Sequence, residues 1–272
     1  MRIAYLVMAH QRPGQLARLV THLRNSGDVF IHIDRKATDG FYGLDGCRVI
    51  PDPIAVYWSS WSHVEAEFKL ARAALPGRFD YYCLLSGQCF PIKPLEQFEA
   101  HLRANAPTEH IRYIPAADWP ECLVRFEKHY FVPRTIIQRA LNRLIRVLPY
   151  RRSLPAGLTP YNGWQWWTLT HDCLSSVVDA FATRADLTSF FRCCKNAEET
   201  AIQTVIGNSR FADRVDSSSL HEIEFPTGSP HPRIWTSADL PRLAASSAFF
   251  ARKFDDRVDA AVLDRLEAAL LG

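Results

Sequence analysis

Short, continuous apolar runs alternate with stretches of helical periodicity over the first hundred residues of the chain. The runs predict buried β-strands at IAYLVMA (Ile3–Ala9), VFIHID (Val29–Asp34), CRVI (Cys47–Ile50) and DYYCLLSG (Asp80–Gly87). Helical spacing of apolar side chains follows Pro13, and it follows again after SHVE (Ser62–Glu65), which matches a helix-capping box. This β-α-β-β-α-β order predicts an open α/β sheet, in which ligands bind beyond the carboxyl ends of the strands.

The rest of the chain continues the mixed pattern with more helix. A helix is predicted from Pro94 to about Leu102, followed by a strand in HIRYI. GWQWWTLT (Gly163–Thr170) predicts a strand that leads into a helix, a further helix is predicted from Asn196 to about Gly207, and the last helix ends at Leu271. We therefore expect one α/β domain over residues 1–272, with an open mixed sheet flanked by helices and helical additions at the C-terminus.

Residues 116–160 fit this pattern least well. The segment RTIIQRALNRLIRVLPYRR (134–152) predicts an amphipathic helix, in which arginines lie off an apolar stripe formed by Ile137, Leu141, Leu144, Ile145 and Leu148. A basic helix of this kind suits an anionic membrane surface, which would give a peripheral inner-membrane protein. The alternative, which we expect here, is a helix packed on the domain with a solvated basic face.

Composition limits the class of protein and the kind of partner. Hydrophobic residues make up 47% and charged residues 22%, as in a globular protein with a core, and a net charge of +3 does not argue for nucleic acid. The seven cysteines fit no zinc-binding spacing and favour buried free thiols in a reducing compartment. The N-terminal segment MRIAYLVMAHQRPG lacks the features of a signal peptide, and no stretch approaches the roughly 18 apolar residues of a membrane span. A cytoplasmic protein is expected.

A few charged side chains are candidates for chemistry. Asp34 ends the second predicted strand, where a carboxylate can accept hydrogen bonds from a ribose or a uracil imide, although an exposed aspartate in a turn is also common. Glu199 follows Asn196 at capping-box spacing. The local sequence favours a cap, but a carboxylate fixed in the first turn of a helix also suits a general base. No Asp-x-Asp metal clamp occurs, so a bound diphosphate would need fixed cations. Arg233 and Lys253 are candidates, although either alone is ordinarily a solvated surface charge.

Eight blocks of the sequence resemble one known family. They are IAYLVMAHQRPGQLARLV, VFIHIDRKA, VYWSSWSHVEAEFKL, YYCLLSGQCFPIKP, GWQWWTLT, EETAIQTVIGNS, PHPRIWTSADL and AFFARKFD. Together they resemble the core-2/I-branching β-1,6-N-acetylglucosaminyltransferases of glycosyltransferase family 14, which also contains the peptide O-xylosyltransferases. The resemblance covers nearly the whole chain and leaves residues 116–160 and 212–228 poorly matched. Family members often have aspartate where this chain has Cys89.

The resemblance implies a GT-A-like fold, inversion at the anomeric carbon and no metal or other cofactor. It implies that Glu199 is the general base and that Arg233 and Lys253 bind the diphosphate of a UDP-sugar, with UDP-GlcNAc expected before UDP-xylose. Residues 1–115 would form the nucleotide-sugar-binding half, 116–160 a variable basic helical insertion, and 161–272 the half that binds acceptor and diphosphate.

Further site residues follow from the same resemblance. It implies nucleoside contact for Asp34 and packing of the base on Met8 and Ala9. It also implies that Trp58 lies near the donor and that Glu109, Arg112 and Arg125 bind the acceptor.

The acceptor is expected to be a glycan under assembly, free or lipid-linked, in bacterial surface polysaccharide or glycoconjugate synthesis. The bacterial, cytoplasmic assignment rests on the lack of the membrane anchor and luminal stem of the Golgi members. A non-catalytic UDP-sugar-binding protein is the alternative, which burial of Glu199 away from any cleft would favour. A nucleotidyltransferase is a weaker alternative, because it would need metal-binding carboxylates that the sequence lacks.

Overall fold

Two β-sheets form the frame of the computed structural model, which describes residues 1–229 and 231–271. The strands in these ranges are β1 (Ile3–Ala9), β2 (Asp28–Ile33), β3 (Arg48–Val49), β4 (Tyr81–Ser86), β5 (Cys89–Pro91), β6 (Glu109–Pro115), β7 (Tyr161–Thr170), β8 (Val215–Asp216), β9 (His221–Ile223) and β10 (Phe250–Arg252). Seven of them form a sheet in the order β3-β2-β1-β4-β7-β6-β8, and β5-β10-β9 form a smaller sheet. The pairs among β1 to β4 are parallel, whereas β7 runs antiparallel to β4 and to β6. The predicted open mixed sheet is confirmed.

The helices lie close to their predicted positions. They are α1 (Pro13–Leu23), α2 (Ser62–Ala74), α3 (Leu95–Ala104), α4 (Leu123–Glu127), α5 (Ile136–Val147), α6 (His171–Thr183), α7 (Ala185–Phe191), α8 (Ala201–Gly207), α9 (Leu240–Ala245) and α10 (Ala261–Leu271). One predicted helix is interrupted. Between Asn196 and Gly207 the chain forms a single 3-10 turn, Ala197–Glu199, before α8 begins.

Alternating side chains of β1 enter two separate hydrophobic cores. Ala4 and Leu6 belong to one core, which packs against α2, α6, α7 and α8. Tyr5 and Val7 belong to the other, which packs against α1, α3 and the C-terminal elements. A strand covered on both faces needs apolar residues at every position, which explains the uninterrupted apolar run that marks it in the sequence. The cysteines are all unpaired, as expected, and five of the seven are buried.

The predicted capping box at the start of α2 does not form. Trp61 is the N-cap residue, and no side chain caps the helix. The Ser62 hydroxyl instead accepts a hydrogen bond from the backbone N–H of Tyr57 at 2.8 Å and lies 2.6 Å from the hydroxyl of Ser60. Ser62 therefore stabilises the loop before the helix, and this loop carries Trp58 to the site described below.

The basic segment 134–152 contains the predicted helix α5, but its expected packing on the domain is wrong. None of its residues is buried, and Ile136 and Val147 are 81% and 78% exposed. No helix within the described ranges is long and apolar enough to cross a membrane.

Glu109 at the start of β6 is wholly buried and does not lie in the cleft described below. Its Oε1 accepts hydrogen bonds from the Thr170 hydroxyl at 2.7 Å and from Arg214 at 2.6 Å, and its Oε2 accepts one from the backbone N–H of Thr170 at 2.8 Å. An acceptor cannot reach a carboxylate that is enclosed and already bonded at both oxygens. The expectation that Glu109 binds acceptor is therefore corrected: it ties β6 to the end of β7 and to Arg214.

We predict that Glu109→Ala lowers the free energy of unfolding by about 3–5 kcal/mol, because it breaks a buried, hydrogen-bonded ion pair. Urea unfolding followed by circular dichroism measures the change. The control is Glu121→Ala, an exposed glutamate whose removal should change the free energy by no more than about 0.5 kcal/mol. Equal stability of the two variants would contradict the structural role of Glu109.

Candidate active site

A cleft of about 420 Å³ opens beyond the carboxyl ends of the parallel strands. His10 follows β1, Asp34 follows β2 and Gln88 follows β4, so the sheet topology brings these three side chains to one edge. The opposite wall comes from the second half of the chain. It contains Trp164, Gln165 and Trp166 of β7, Asn196, Glu198, Glu199, Arg252 and Lys253.

A smaller cavity of about 90 Å³, the inner pocket, shares several of these residues and reaches Met8 and Ala9. Three histidines line it, His10, His32 and His63, and the pKa of each is lowered. Burial lowers the pKa of His32, and burial together with the positive charge of Arg252 lowers the pKa of His63 to about 4. The Nε2 of His32 accepts the backbone N–H of Ile54 at 2.8 Å, which fixes the loop after β3. The inner pocket thus offers apolar surface and uncharged rings at the sheet edge.

Asp34 lies at the junction of the cleft and the inner pocket. Its Oδ1 accepts the backbone N–H groups of Lys36 and Val56 at 2.8 and 3.3 Å, and the Lys36 ammonium is 3.4 Å from Oδ2. One oxygen therefore orders the loop, while the other pairs with the exposed ammonium of Lys36, which a ligand can displace. Trp58 stands at the rim, 61% exposed, with its ring 6.5 Å from the ring of His231.

Glu199 projects into the cleft and is bound through one oxygen. Its Oε2 accepts hydrogen bonds from Arg125 at 2.5 Å and from the side-chain amide of Asn196 at 3.1 Å. Within residues 1–229 and 231–271, no hydrogen bond reaches its Oε1. The predicted capping box is wrong here too, because Asn196 adopts a left-handed backbone (φ 55°) and its side chain bonds the Glu199 carboxylate and caps no N–H group. The site therefore presents one oriented, unoccupied carboxylate oxygen.

The two arginines predicted to bind acceptor lie beside the cleft and do not line it. Arg125 on α4 bridges Glu199 and the side-chain oxygen of Asn162, the latter at 2.6 Å. Arg112 on β6 stacks its guanidinium 4.2 Å from the ring centre of Trp164, which forms part of the cleft wall. In this structure both arginines support residues that face the cleft.

The two predicted diphosphate-binding cations are placed differently. Lys253 lines the cleft, and burial together with the neighbouring positive charge of Arg252 lowers its pKa. Arg233 is outside the lining, with its guanidinium paired to Asp239 and 3.6 Å from Glu224, although the preceding His231 and Pro232 do line the cleft.

Arg252 is a cleft residue that the sequence analysis missed. Its side chain is partly buried, contacts the Ser86 hydroxyl and lies 4.5 Å from the ring centre of Trp166, and desolvation lowers its pKa. An arginine inside the apolar run AFFARKFD, next to Lys253, is the feature that could have revealed it.

Two further carboxyl groups, also missed, lie behind Glu199. Burial and the charge of Glu199 raise the pKa of Glu198 from 4.5 to about 8, and Arg125 only partly opposes this. Burial raises the pKa of Glu67 well above its ordinary value, although Gln165 donates a hydrogen bond to its Oε1 at 2.8 Å. A pKa near 8 keeps most of Glu198 protonated at neutral pH, so that it adds little negative charge beside Glu199. The sequence pair Glu198-Glu199 was the feature that could have drawn attention to Glu198.

No group of three or more histidine, cysteine, aspartate or glutamate side chains is arranged to hold a metal ion in the ranges the structure describes.

We predict that the stabilising contribution of the Glu198 proton is lost as the pH rises from about 4.5 to about 8, so that Glu198→Gln gains stability relative to the wild type over this range. The folded state retains the Glu198 proton over this range while the unfolded state loses it, so the folded state is favoured at low pH and the advantage disappears as the pH passes the folded pKa. Melting temperatures at pH 5 and pH 9 measure the effect, which we expect to be at least about 4 °C. Glu121→Gln is the matched control, and an unchanged pH dependence in Glu198→Gln would contradict the assignment.

Comparison with known proteins matches the sequence of this chain to one family. The family model described as Core-2/I-Branching enzyme matches residues 3–242. Human xylosyltransferase 2 is 25% identical over 310 residues, which cover 100% of this chain and 34% of that protein. Rat β-1,3-galactosyl-O-glycosyl-glycoprotein β-1,6-N-acetylglucosaminyltransferase 3 is 22% identical over 307 residues, which cover 98% of this chain and 68% of that protein. The chain thus spans about a third of the length of the xylosyltransferases that it matches.

The matched region begins with β1 and contains most of both walls of the cleft, including Asp34 and Glu199. Of the residues that line the cleft, only Arg252 and Lys253 lie beyond it. Both relatives carry names of enzymes that transfer sugars. The chain belongs to the Core-2/I-Branching enzyme family, glycosyltransferase family 14.

Proposed function

We propose that this chain is an inverting, metal-independent glycosyltransferase that moves a sugar from a UDP-sugar to a hydroxyl group of a glycan. The observation that carries the proposal is the presence, in one cleft, of a carboxylate with a free oxygen, Glu199, and of the cations Arg252 and Lys253. The donor is UDP-GlcNAc in the first instance and UDP-xylose in the second, in line with the names of the two relatives. The acceptor is a growing polysaccharide or glycoconjugate, handled in the cytoplasm.

The acceptor side of the reaction needs a base. Oε1 of Glu199 takes the proton from an acceptor hydroxyl, whose oxygen then attacks the anomeric carbon of the sugar. Arg125 and Asn196 fix Oε2, so the carboxylate keeps its direction during the proton transfer. Attack on the face opposite the nucleotide inverts the anomeric configuration.

The donor side needs positive charge. As the bond between the anomeric carbon and the β-phosphate oxygen breaks, negative charge develops on the diphosphate. Lys253 and Arg252 stabilise it, and His10 lines the opposite wall of the same cleft. Arg233 joins them where a bound diphosphate draws its guanidinium away from Asp239. The uracil packs on Met8 and Ala9 in the inner pocket, Asp34 contacts the nucleoside, and Trp58 covers the donor at the rim.

The position of Glu199 also separates this proposal from a non-catalytic UDP-sugar-binding protein. Burial of Glu199 away from the cleft would have favoured simple binding. Its side chain is 25% exposed and lines the cleft, which favours catalysis.

We predict that Glu199→Gln lowers the transfer rate by about 100- to 10,000-fold, because glutamine fills the same space and can still bond Arg125 but cannot accept the proton. UDP affinity, measured by calorimetry, should stay within about twofold of the wild type, because no diphosphate contact is lost. Glu121→Gln is the control and should retain full activity. Weakened UDP binding with residual transfer would contradict the role of Glu199 as base and indicate a structural one.

We predict that Lys253→Met weakens UDP binding by about 10- to 100-fold, because one charge-assisted hydrogen bond is lost. The control is Arg210→Met, which removes an exposed cation outside the cleft and should leave UDP binding unchanged. Arg233→Met tests whether the Arg233 guanidinium leaves Asp239 and Glu224 to bind the nucleotide.

EDTA should leave the transfer rate unchanged. Loss of transfer in EDTA with recovery on adding manganese would contradict the metal-independent mechanism, and equal UDP affinity of Lys253→Met and Arg210→Met would contradict the role of Lys253.

A further inference from the structure

Helix α5 exposes the face that an amphipathic helix normally buries. Its apolar face, defined here as Ile136, Ile137, Leu141, Leu144 and Val147, is 38–81% exposed, with Ile137 at 70% and Leu144 at 52%. Apolar side chains contributed by one helix face form a continuous patch, and a patch of this kind marks an interaction surface.

The polar edge of the helix is bonded to the segment directly before it, residues 131–135. The side-chain oxygen of Asn142 accepts the backbone N–H of Phe131 at 2.9 Å, and its amide donates to the Phe131 carbonyl at 2.7 Å. One turn earlier, Gln138 completes a capping box with Thr135 and accepts the backbone N–H of Arg134 at 3.0 Å. Gln138 and Asn142 lie on the same side of the helix because they are four residues apart. These bonds set the rotation of α5, and this rotation directs the apolar face away from the protein.

The charge of the segment selects one kind of partner. No aspartate or glutamate occurs between residues 128 and 152, whereas Arg139, Arg143 and Arg146 lie on the helix itself. None of these three arginines forms an ion pair with a residue in the described ranges. An apolar face with unneutralised arginines beside it matches the boundary between the acyl chains and the negatively charged head groups of an anionic bilayer. A second copy of the chain fits less well, because two such faces would bring like charges together.

The segment also lies next to the cleft. The Arg134 guanidinium is 4.6 Å from the ring centre of Tyr57, whose neighbour Trp58 stands at the cleft rim. On the other side, α4 leads into the segment and carries Arg125 to Glu199. A membrane against the apolar face would therefore lie beside the site.

We propose that α5 docks the protein on an anionic lipid bilayer, with its apolar face in the head-group boundary and its arginines on lipid phosphates. The docking does not depend on the proposed sugar transfer. It would bring the cleft close to the membrane surface, where acceptors attached to lipid are found.

Vesicle co-sedimentation tests the proposal with the full chain. At low salt the wild type should pellet with vesicles of phosphatidylcholine and phosphatidylglycerol, stay in the supernatant with phosphatidylcholine alone, and be released by high salt. Ile137→Asp/Leu144→Asp should abolish pelleting without lowering the melting temperature, because both side chains are exposed. Tyr42→Asp/Val258→Asp, which adds the same two charges at exposed apolar sites elsewhere, should bind like the wild type.

A second variant tests the charge. Arg139→Gln/Arg143→Gln/Arg146→Gln should lower affinity for the anionic vesicles by about fivefold for each arginine, which corresponds to about 1 kcal/mol each. No pelleting of the wild type with anionic vesicles, or equal pelleting of the Ile137→Asp/Leu144→Asp variant, would overturn the proposal. A wild-type dimer in gel filtration that Ile137→Asp/Leu144→Asp converts to a monomer would also overturn the proposal, since a second copy would then cover the apolar face.

Discussion

Strand β1 is hydrogen-bonded to a neighbouring strand on each edge and covered on both faces. Its side chains therefore pack into two hydrophobic cores, and charged side chains can occur only beyond the end of the strand. The same holds for most of β2 and β4. These strands run in one direction, so the first polar residues after them, among them His10 and Asp34, meet at a single edge. The cleft is a consequence of this parallel pairing, and the antiparallel strand β7 completes its opposite wall with Trp164 and Trp166.

The segment between β6 and β7 is more closely connected to the site than its poor match to the family suggests. It contains α4, whose Arg125 holds the carboxylate of Glu199, and it continues directly into α5. A displacement of α5 would therefore be transmitted to Arg125, and so to the proposed base Glu199, through the backbone that joins α4 to α5. This arrangement gives the protein a physical connection between a surface that suits lipid and a side chain that suits catalysis.

Three of the predictions that failed concern polar side chains whose hydrogen bonds differ from the expected ones. Ser62 and Asn196 carry residue types suited to a cap, but Ser62 bonds the loop before its helix and Asn196 bonds the carboxylate of Glu199. The family resemblance implied that Glu109 binds acceptor, but Glu109 is enclosed by Thr170 and Arg214, which are 61 and 105 residues away. Residue type specifies which hydrogen bonds a side chain can make, while the folded chain, through near contacts for Ser62 and Asn196 and distant ones for Glu109, determines which of them it does make.

Apolar periodicity alone predicted β1, β2 and β4 to within one residue, because each position of a doubly covered strand must be apolar, although it missed the short strand β5. Family motifs singled out Glu199 and Lys253. The sequence could not show that Arg252 lines the cleft, that burial raises the pKa values of Glu67 and Glu198, or that the apolar face of α5 points outward. Those outcomes depend on burial and on contacts between remote residues, such as Asn142 with Phe131 or Arg125 with Glu199. Burial and long-range pairing are properties of the folded chain, and only the tertiary structure decides them.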